Sequence, residues 1–284
     1  MLKRVEPPAG QGAWQISDKE FSGFQALLLR LTGISLAFSK RALVCSRLAK
    51  RLEHWGLSSY ADYLALLESG SQPEELQTAI DLLTTNETYF FREPKHFEFV
   101  RSQVLPRHRP GRPLRAWSAA CSSGAEAYSL AMLLADQLGM EKGRWEILAS
   151  DISHRILQRA KKAHFALDRT ELIPAGYLSR YCLKGVKSQE GTFLIRRELR
   201  SRVDLRYINL NEPLPEIGQF DLIFLRNVLI YFNPETKRRA VERVVETLRP
   251  GGHLIVGHSE SLNGVVSGLQ TVMPSIYRKL AGRE

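Results

Sequence analysis

The stretch from Leu114 to Glu126 constrains the fold of this 284-residue chain more than any other. A short apolar run from Leu114 to Ala120 leads into small residues ending at Gly124, and a helix-forming stretch begins at Ala125. A strand, a tight loop and a helix in this order form the first nucleotide crevice of a doubly wound α/β sheet. Gly124 permits close approach of a ligand to the backbone, and the start of the helix presents free N–H groups.

The chemistry of this loop favours S-adenosylmethionine as its ligand. The loop has neither the phosphate-binding spacing G-x-x-x-x-G-K-[ST] nor the complete dinucleotide pattern G-x-G-x-x-G. It has one glycine, Gly124, followed by the acid Glu126. A carboxylate there repels a pyrophosphate but suits a ligand with an ammonium group or hydroxyls, so ATP and NAD are disfavoured. An ordinary strand–helix turn with a surface glutamate is the alternative interpretation.

Asp151 ends the next predicted strand, which starts at Trp145. An acid about 20 residues past the first loop accepts hydrogen bonds from ribose hydroxyls in nucleotide-binding folds. Asp151 could instead cap the helix predicted from about Ser153 to Ala163, and both interpretations are open. Later predicted strands end at Asn209 and at Arg226, and ligands of open α/β sheets bind at this carboxyl edge.

The chain divides into three predicted parts. Apolar side chains recur at helical intervals within residues 1–83, which predicts an N-terminal helical domain. Residues 84–110 are predicted to form a linker and cofactor-covering segment, and residues 111–284 the α/β domain. At about 181–202, two short β-prone runs flank a turn, which predicts an inserted antiparallel hairpin.

The segment from Leu83 to Pro94 joins small polar side chains to three consecutive aromatic residues and an arginine. Asn86 and Thr88 could contact a ligand, and Arg92 could hold a carboxylate in a bidentate manner. An interdomain linker whose aromatic side chains fill a seam is the alternative.

The formal net charge of +10 predicts attraction to an acidic partner. A predicted helix from about Ser39 to Trp55 carries a basic stripe and has no acid before Leu52. The stripe is either a docking surface or a solvated face. Its members are Lys40, Arg47, Lys50 and Arg51.

Other sequence features limit where the protein can be located and whether it uses a metal. No apolar run reaches the roughly 18 residues of a membrane span, and Met1 to Gly12 lack the apolar region of an export signal. The three cysteines are isolated and the seven histidines are scattered, which predicts reduced thiols and no catalytic metal. We therefore expect a cytoplasmic protein.

Five segments together resemble the CheR family of chemotaxis methyltransferases, in the order the family has them. They are Leu83–Glu93, Trp117–Ser129, Ala149–Ile152, Phe224–Phe232 and Gly257–Ser261. The resemblance implies a class I methyltransferase with a Rossmann-like doubly wound sheet, an N-terminal all-α domain and a small antiparallel β-subdomain. Such an enzyme transfers a methyl group from S-adenosylmethionine to glutamate carboxylates of chemotaxis receptors, leaving methyl esters and S-adenosylhomocysteine.

Motif positions in the resemblance also imply roles for individual residues. Arg92 and Tyr231 would position the reactants, with Tyr231 near the transferred methyl group. The helix with Arg47 and Arg51 would face the acidic helices of the receptor's cytoplasmic domain, and in some members the β-subdomain docks a receptor C-terminal peptide. The implied cofactor contacts are Asn86, Thr88, Arg92, Glu126, Asp151, Asn209, Leu210, Arg226 and Asn227.

We expect a monomer that binds no nucleic acid and does not insert into membranes. The stretch from Gly124 to Ala127 departs from the family's Gly-Glu-Glu-Pro-like pattern by losing the first acid and the proline. A catalytically silent cofactor-binding module that docks on receptors is therefore one alternative. An RNA or small-molecule methyltransferase on the same fold, suggested by the net charge, is the other.

Overall fold

A computed structural model describes residues 15–108, 111–141 and 144–281, so Met1 to Gly12 and the export prediction made for them lie outside it. The described chain forms two compact units. The helical unit contains the residues through Thr85 together with Tyr231–Asn233, and the larger unit contains Asn86–Ile230 and the residues from Pro234 onward. No helix in the described ranges is long and apolar enough to cross a membrane.

The helical unit packs four helices around aromatic and aliphatic side chains. The first begins with a capping box, in which the Ser17 hydroxyl accepts the N–H of Glu20 and the Glu20 carboxylate accepts the N–H of Ser17. It ends at Gly33, whose φ of 75° lies in the left-handed region. The helices are α1 (Asp18–Thr32), α2 (Arg41–Trp55), α3 (Tyr60–Glu68) and α4 (Pro73–Leu83).

The larger unit contains the strands, seven of which form one sheet in the described residues. In chain order the strands are β1 (Leu114–Ser118), β2 (Trp145–Asp151), β3 (His164–Ala166), β4 (Cys182–Lys184), β5 (Thr192–Ile195), β6 (Val203–Tyr207), β7 (Phe220–Leu225), β8 (Leu248–Val256), β9 (Leu269–Met273) and β10 (Ile276–Lys279). The large sheet has the order β6-β2-β1-β7-β8-β10-β9. The first five strands of that order pair in parallel. β10 and β9 then add in antiparallel orientation.

The strand order reverses between β1 and β7, which places the topological switch point at their carboxyl ends. β1 leads into a largely buried helix that returns the chain to β2, and the sheet continues from β7 on the opposite side of β1. The helices of this unit are α5 (Pro94–Phe99), α6 (Ala125–Leu138), α7 (His154–Lys162), α8 (Tyr177–Tyr181), α9 (Arg197–Arg200) and α10 (Pro234–Glu246). The predicted fold class is confirmed.

The small sheet has the order β3-β5-β4 and is antiparallel. β4 and β5 fall within the hairpin predicted at 181–202, whereas β3 lies outside that range. Three residues directly after a helix give no alternating pattern, so β3 had no sequence signal of its own. Phe165 of β3 and Phe193 of β5 pack against Phe90, at ring-centroid distances of 4.8 Å and 5.4 Å. These contacts anchor the small sheet to the segment that precedes α5.

Candidate active site

Asp151 holds the loop after β1 against the start of α7. Its Oδ2 accepts the N–H of Ser122 at 2.9 Å, and its Oδ1 accepts the N–H of Ser153 at 3.0 Å. The N-cap of α7 is Ser153, whose hydroxyl accepts the N–H of Ile156 at 3.2 Å. The capping role that the sequence left open for Asp151 therefore belongs to Ser153, and Asp151 lies at the carboxyl edge of the sheet.

Gly124 is required by a close contact between this loop and α7. Its φ is 91°, and a Cβ at this position would lie 3.0 Å from the Cβ of Ala160 and 3.0 Å from a ring carbon of Tyr128. A side chain here would strain the backbone and would push Ala160 and Tyr128 aside, whatever ligand approaches the loop. The Ser122 hydroxyl donates to the carbonyl of Asn86 at 3.2 Å, which ties the loop to the segment before α5.

Arg226, at the end of β7, is the centre of a buried ionic network. Its Nη1 lies 2.8 Å from Oε2 of Glu126, and its Nη2 lies 3.0 Å from Oε2 of Glu93 and 2.5 Å from the carbonyl oxygen of Arg92. The Arg226 side chain is only 1% exposed. Oε1 of Glu126 accepts the Ser118 hydroxyl at 2.6 Å. Arg226 and Glu126 thus connect β1, β7, α6 and the segment before α5.

The two carboxylates that share Arg226 respond differently to burial. Burial raises the pKa of Glu126, and Arg226 and Ser118 offset this only in part. Burial acts in the same direction on Glu93, but the charge and hydrogen bonds of Arg226, assisted by Asn227, lower the pKa of Glu93 overall. Three acidic side chains, those of Glu93, Glu126 and Asp151, therefore lie with the guanidinium of Arg226 at this edge of the sheet.

Glu93, His96 and His258 bring three potential metal-ligand atoms within 4.8 Å of one another. Oε2 of Glu93 lies 3.2 Å from Nδ1 of His96 and 3.9 Å from Nε2 of His258. The guanidinium of Arg226 lies 3.0 Å from the same oxygen, so the Glu93 carboxylate already has a positively charged partner. Burial and the nearby Arg226 lower the pKa of His96 to about 3, so its ring is neutral at pH 7. We interpret the cluster as part of the ionic network.

Glu260 binds backbone amides at this edge, a role that its sequence context does not indicate. Its Oε2 accepts the N–H of Asn227 at 2.8 Å and of Gly257 at 2.6 Å, and its Oε1 accepts the N–H of Ile230 at 3.2 Å. Asn227 has a φ of 57°, a conformation that costs energy for a residue other than glycine and that this carboxylate stabilises. The segment that begins at Gly257 was noted in the sequence, but the amides that Glu260 binds could not be inferred.

The remaining predicted cofactor residues lie on segments that reach this edge. Nη1 of Arg92 donates to the carbonyl of Glu87 at 2.9 Å, and its guanidinium lies 5.6 Å from the ring centre of Tyr89. Asn209 follows β6, and its Oδ1 accepts the N–H of Asn211 at 3.0 Å. Thr88 and Leu210 lie on these same two segments.

Tyr231 belongs to the helical unit, although it directly follows Ile230 in the chain. Its carbonyl accepts the N–H of Ser35 at 2.7 Å, and the next residue, Phe232, forms an isolated bridge with Ile34. The proposed role of Tyr231 near the methyl group stays a prediction.

The predicted docking residues of α2 have two different environments. Arg51 forms an ion pair with Glu75, which is 4% exposed and also accepts the hydroxyl of Tyr63 at 2.5 Å. Arg47 donates to the carbonyls of Leu82 and Thr84, each at 2.9 Å. Both arginines therefore hold α2 against α4 and its C-terminal end. The two lysines of the stripe, Lys40 and Lys50, are exposed.

Comparisons with known proteins cover nearly the whole chain. Residues 86–277 match the family model described as the SAM-binding domain of CheR methyltransferase, and residues 19–84 match the model of its all-alpha domain. The chemotaxis protein methyltransferase of Salmonella typhimurium is 40% identical over 263 residues, which cover 92% of this chain and 90% of the relative. That of Escherichia coli is 41% identical over 249 residues, covering 87% and 86%. Chemotaxis protein methyltransferase 2 of Pseudomonas aeruginosa is 40% identical over 272 residues, covering 95% and 96%.

Proposed function

The chain belongs to the CheR methyltransferase family, and on that premise we propose that it methylates glutamate side chains of chemotaxis receptors with S-adenosylmethionine. The observation that carries this conclusion is identity of about 40% along almost the whole chain to chemotaxis protein methyltransferases. The products are glutamate methyl esters and S-adenosylhomocysteine.

The acidic side chains at the carboxyl edge of the sheet suit this cofactor, which carries a sulfonium and an ammonium group. These side chains are Glu93, Glu126 and Asp151, and we assign the ribose hydroxyls to Asp151. Nε of Arg226 is buried and has no hydrogen-bond partner among the described residues, so it is a donor that a ligand carboxylate could accept from. Further contacts are assigned by motif position to Asn86, Thr88, Arg92, Asn209, Leu210 and Asn227.

The reaction needs no general base in this chain. A glutamate carboxylate has a pKa of about 4.3 and is already ionised at neutral pH. The bound cofactor supplies an electrophilic methyl group on a cationic sulfur. We assign to Arg92 the orientation of the attacking carboxylate and to Tyr231 the alignment of the reactants. Alignment in a partly dehydrated cleft then provides most of the rate enhancement, and no covalent intermediate with the protein is formed.

The acceptor is the acidic helical bundle of the receptor's cytoplasmic domain, and we propose that the enzyme acts on it as a monomer in the cytoplasm. A receptor C-terminal peptide could also add to the small sheet by strand pairing. β4 supports this idea because it is an edge strand of the order β3-β5-β4 and its Leu183 is 47% exposed.

Titration with S-adenosylhomocysteine tests the cofactor assignments. We expect Asp151→Asn to raise the dissociation constant at least about tenfold, because one of the two acceptor oxygens is replaced by an NH₂ group that can only donate. Asp204→Asn is the matched control, since Asp204 is exposed on β6 and should bind like the wild type. Affinity of Asp151→Asn equal to that of the control would overturn the assignment.

A further inference from the structure

The positive charge of the chain is concentrated in one stretch of the larger unit. From His154 to Arg206 there are 13 lysines and arginines against five acids, a net charge of +8 out of +10 for the whole chain. Residues 15–85, which include the predicted docking helix α2, have seven basic and eight acidic side chains, a net charge of −1. The strongest attraction for an acidic partner therefore comes from α7, the small sheet and α9.

Helix α7 contains the most uniform part of this charge. No acid occurs from Ile152 to Leu167. The apolar side chains of α7 are buried, whereas Arg159, Lys161 and Lys162 are exposed and form no ion pair with an acid among the described residues. Arg159 and Lys162, which share one side of the helix, are called the α7 face below.

The basic residues of α10 show the arrangement that a merely solvated helix has. There Arg238 pairs with Glu242 and Arg239 pairs with Glu235, both at i,i+4 spacing. The helix dipole favours cations in the last turn of α7, but it equally favours acids in the first turn, where α7 has none. Helix stability alone therefore does not account for the composition of α7.

We propose that the α7 face is a docking surface for an acidic helix of the receptor. This inference rests on the proposed function, because the glutamates to be methylated lie on receptor helices. Arg159 and Lys162 are three residues apart on one side of α7, which matches carboxylates spaced at i,i+3 or i,i+4 on a partner helix.

The α7 face lies away from the chemistry. α7 begins three residues after Asp151, at the carboxyl edge, and Lys162 lies about 12 Å further along the helix axis at 1.5 Å per residue. Loss of the α7 face should therefore weaken receptor binding without changing cofactor binding or the rate of methyl transfer in the bound complex.

The test compares two double variants of the full chain that lose the same charge. Arg159→Gln/Lys162→Gln removes the α7 face, and Arg101→Gln/Arg107→Gln removes two exposed charges elsewhere in the same unit. The dissociation constant for a receptor cytoplasmic fragment should rise about tenfold in the first variant and less than about twofold in the second. The KM for the fragment should follow, while kcat and the dissociation constant of S-adenosylhomocysteine stay at their wild-type values.

Equal weakening in both variants would reduce the effect to net charge, and unchanged receptor binding in the first variant would remove the docking role. Both results overturn the proposal. So would unchanged receptor binding combined with loss of binding to phosphatidylserine vesicles or to transfer RNA, because the partner would then be a lipid or a nucleic acid. If the wild type binds the fragment through the α7 face but does not methylate it, the docking surface stands and the proposed function fails.

Discussion

Nη1 of Arg226 lies 2.8 Å from Oε2 of Glu126, and both side chains are buried at the carboxyl edge of the sheet. The same guanidinium binds Glu93 and the carbonyl of Arg92. One cation therefore holds together the end of β7, the start of α6 and the segment that carries Arg92. The positions of Arg92 and Glu126, two of the predicted cofactor residues, therefore depend on Arg226.

Replacement of Arg226 by alanine should strongly destabilise the larger unit. The carboxylates of Glu93 and Glu126 would remain buried without a cation, and loss of one partner of such a network costs about 3–5 kcal/mol. Urea denaturation measures the loss. Arg226→Lys should lose less, because it keeps the charge but cannot bind both carboxylates in the same way. An alanine variant as stable as the lysine variant would contradict this account.

Replacement of Glu260 by glutamine should loosen the turn that follows β7. The amide retains one acceptor oxygen and turns an NH₂ group toward backbone N–H donors, which costs about 1–3 kcal/mol for the group left unsatisfied. Hydrogen exchange should show faster exchange at the amides of Asn227, Gly257 and Ile230. Glu242→Gln, a surface change on α10, should leave these amides protected. Equal protection in both variants would show that Glu260 does not hold the turn.

Arg51 should contribute to the stability of the helical unit, whereas Lys50 should not. Arg51→Ala should lower the free energy of unfolding by about 1–3 kcal/mol, less than for a fully buried pair because the Arg51 side chain is 23% exposed. Lys50→Ala should change stability by less than about 0.5 kcal/mol. Thermal and urea denaturation of the two variants give the comparison. Equal stability would mean that the pair of Arg51 with Glu75 contributes nothing.

Asp221 should make stability depend on pH on the acid side. Burial alone would raise its pKa, but Arg112, the N–H of Arg115 and Arg249 together lower it below the ordinary value of 3.8. A lowered pKa in the folded state stabilises the protein above 3.8, and this contribution is lost as the pH falls through the folded-state pKa.

Urea denaturation of Asp221→Asn between pH 7 and pH 3 tests this sign. The variant should be less stable than the wild type at pH 7, and the difference should shrink as the pH falls below 3.8. A difference that stays constant over this range would show that the charge of Asp221 does not contribute.

The fold could be predicted because its signals are local. The apolar run from Leu114, the small-residue loop and the following helix lie within about two dozen residues, and each follows from its own periodicity. β3 escaped prediction because three residues give no period. Asp151 and Ser153 were both plausible N-caps of α7 from the sequence. Only the backbone dihedral angles and hydrogen bonds show that Ser153 is the cap.

For the site, the sequence named candidate residues but not their partners. Glu126 and Arg226 are 100 residues apart in the chain, and no spacing rule indicates that they bind each other. The same is true of Glu260 and of Arg51 with Glu75. The basic stripe on α2 gave equal weight to four residues, although two of them are used for packing within the helical unit.

Methyl transfer to a receptor is the most direct test of the central claim. The full chain is incubated with methyl-labelled S-adenosylmethionine and a receptor cytoplasmic fragment, and the labelled protein is then treated with alkali. We predict label on the fragment that alkali releases as methanol, which is diagnostic of a carboxyl methyl ester. Alkali-stable label, label on added RNA, or no label on the fragment would contradict the assignment of this chain as a receptor glutamate methyltransferase.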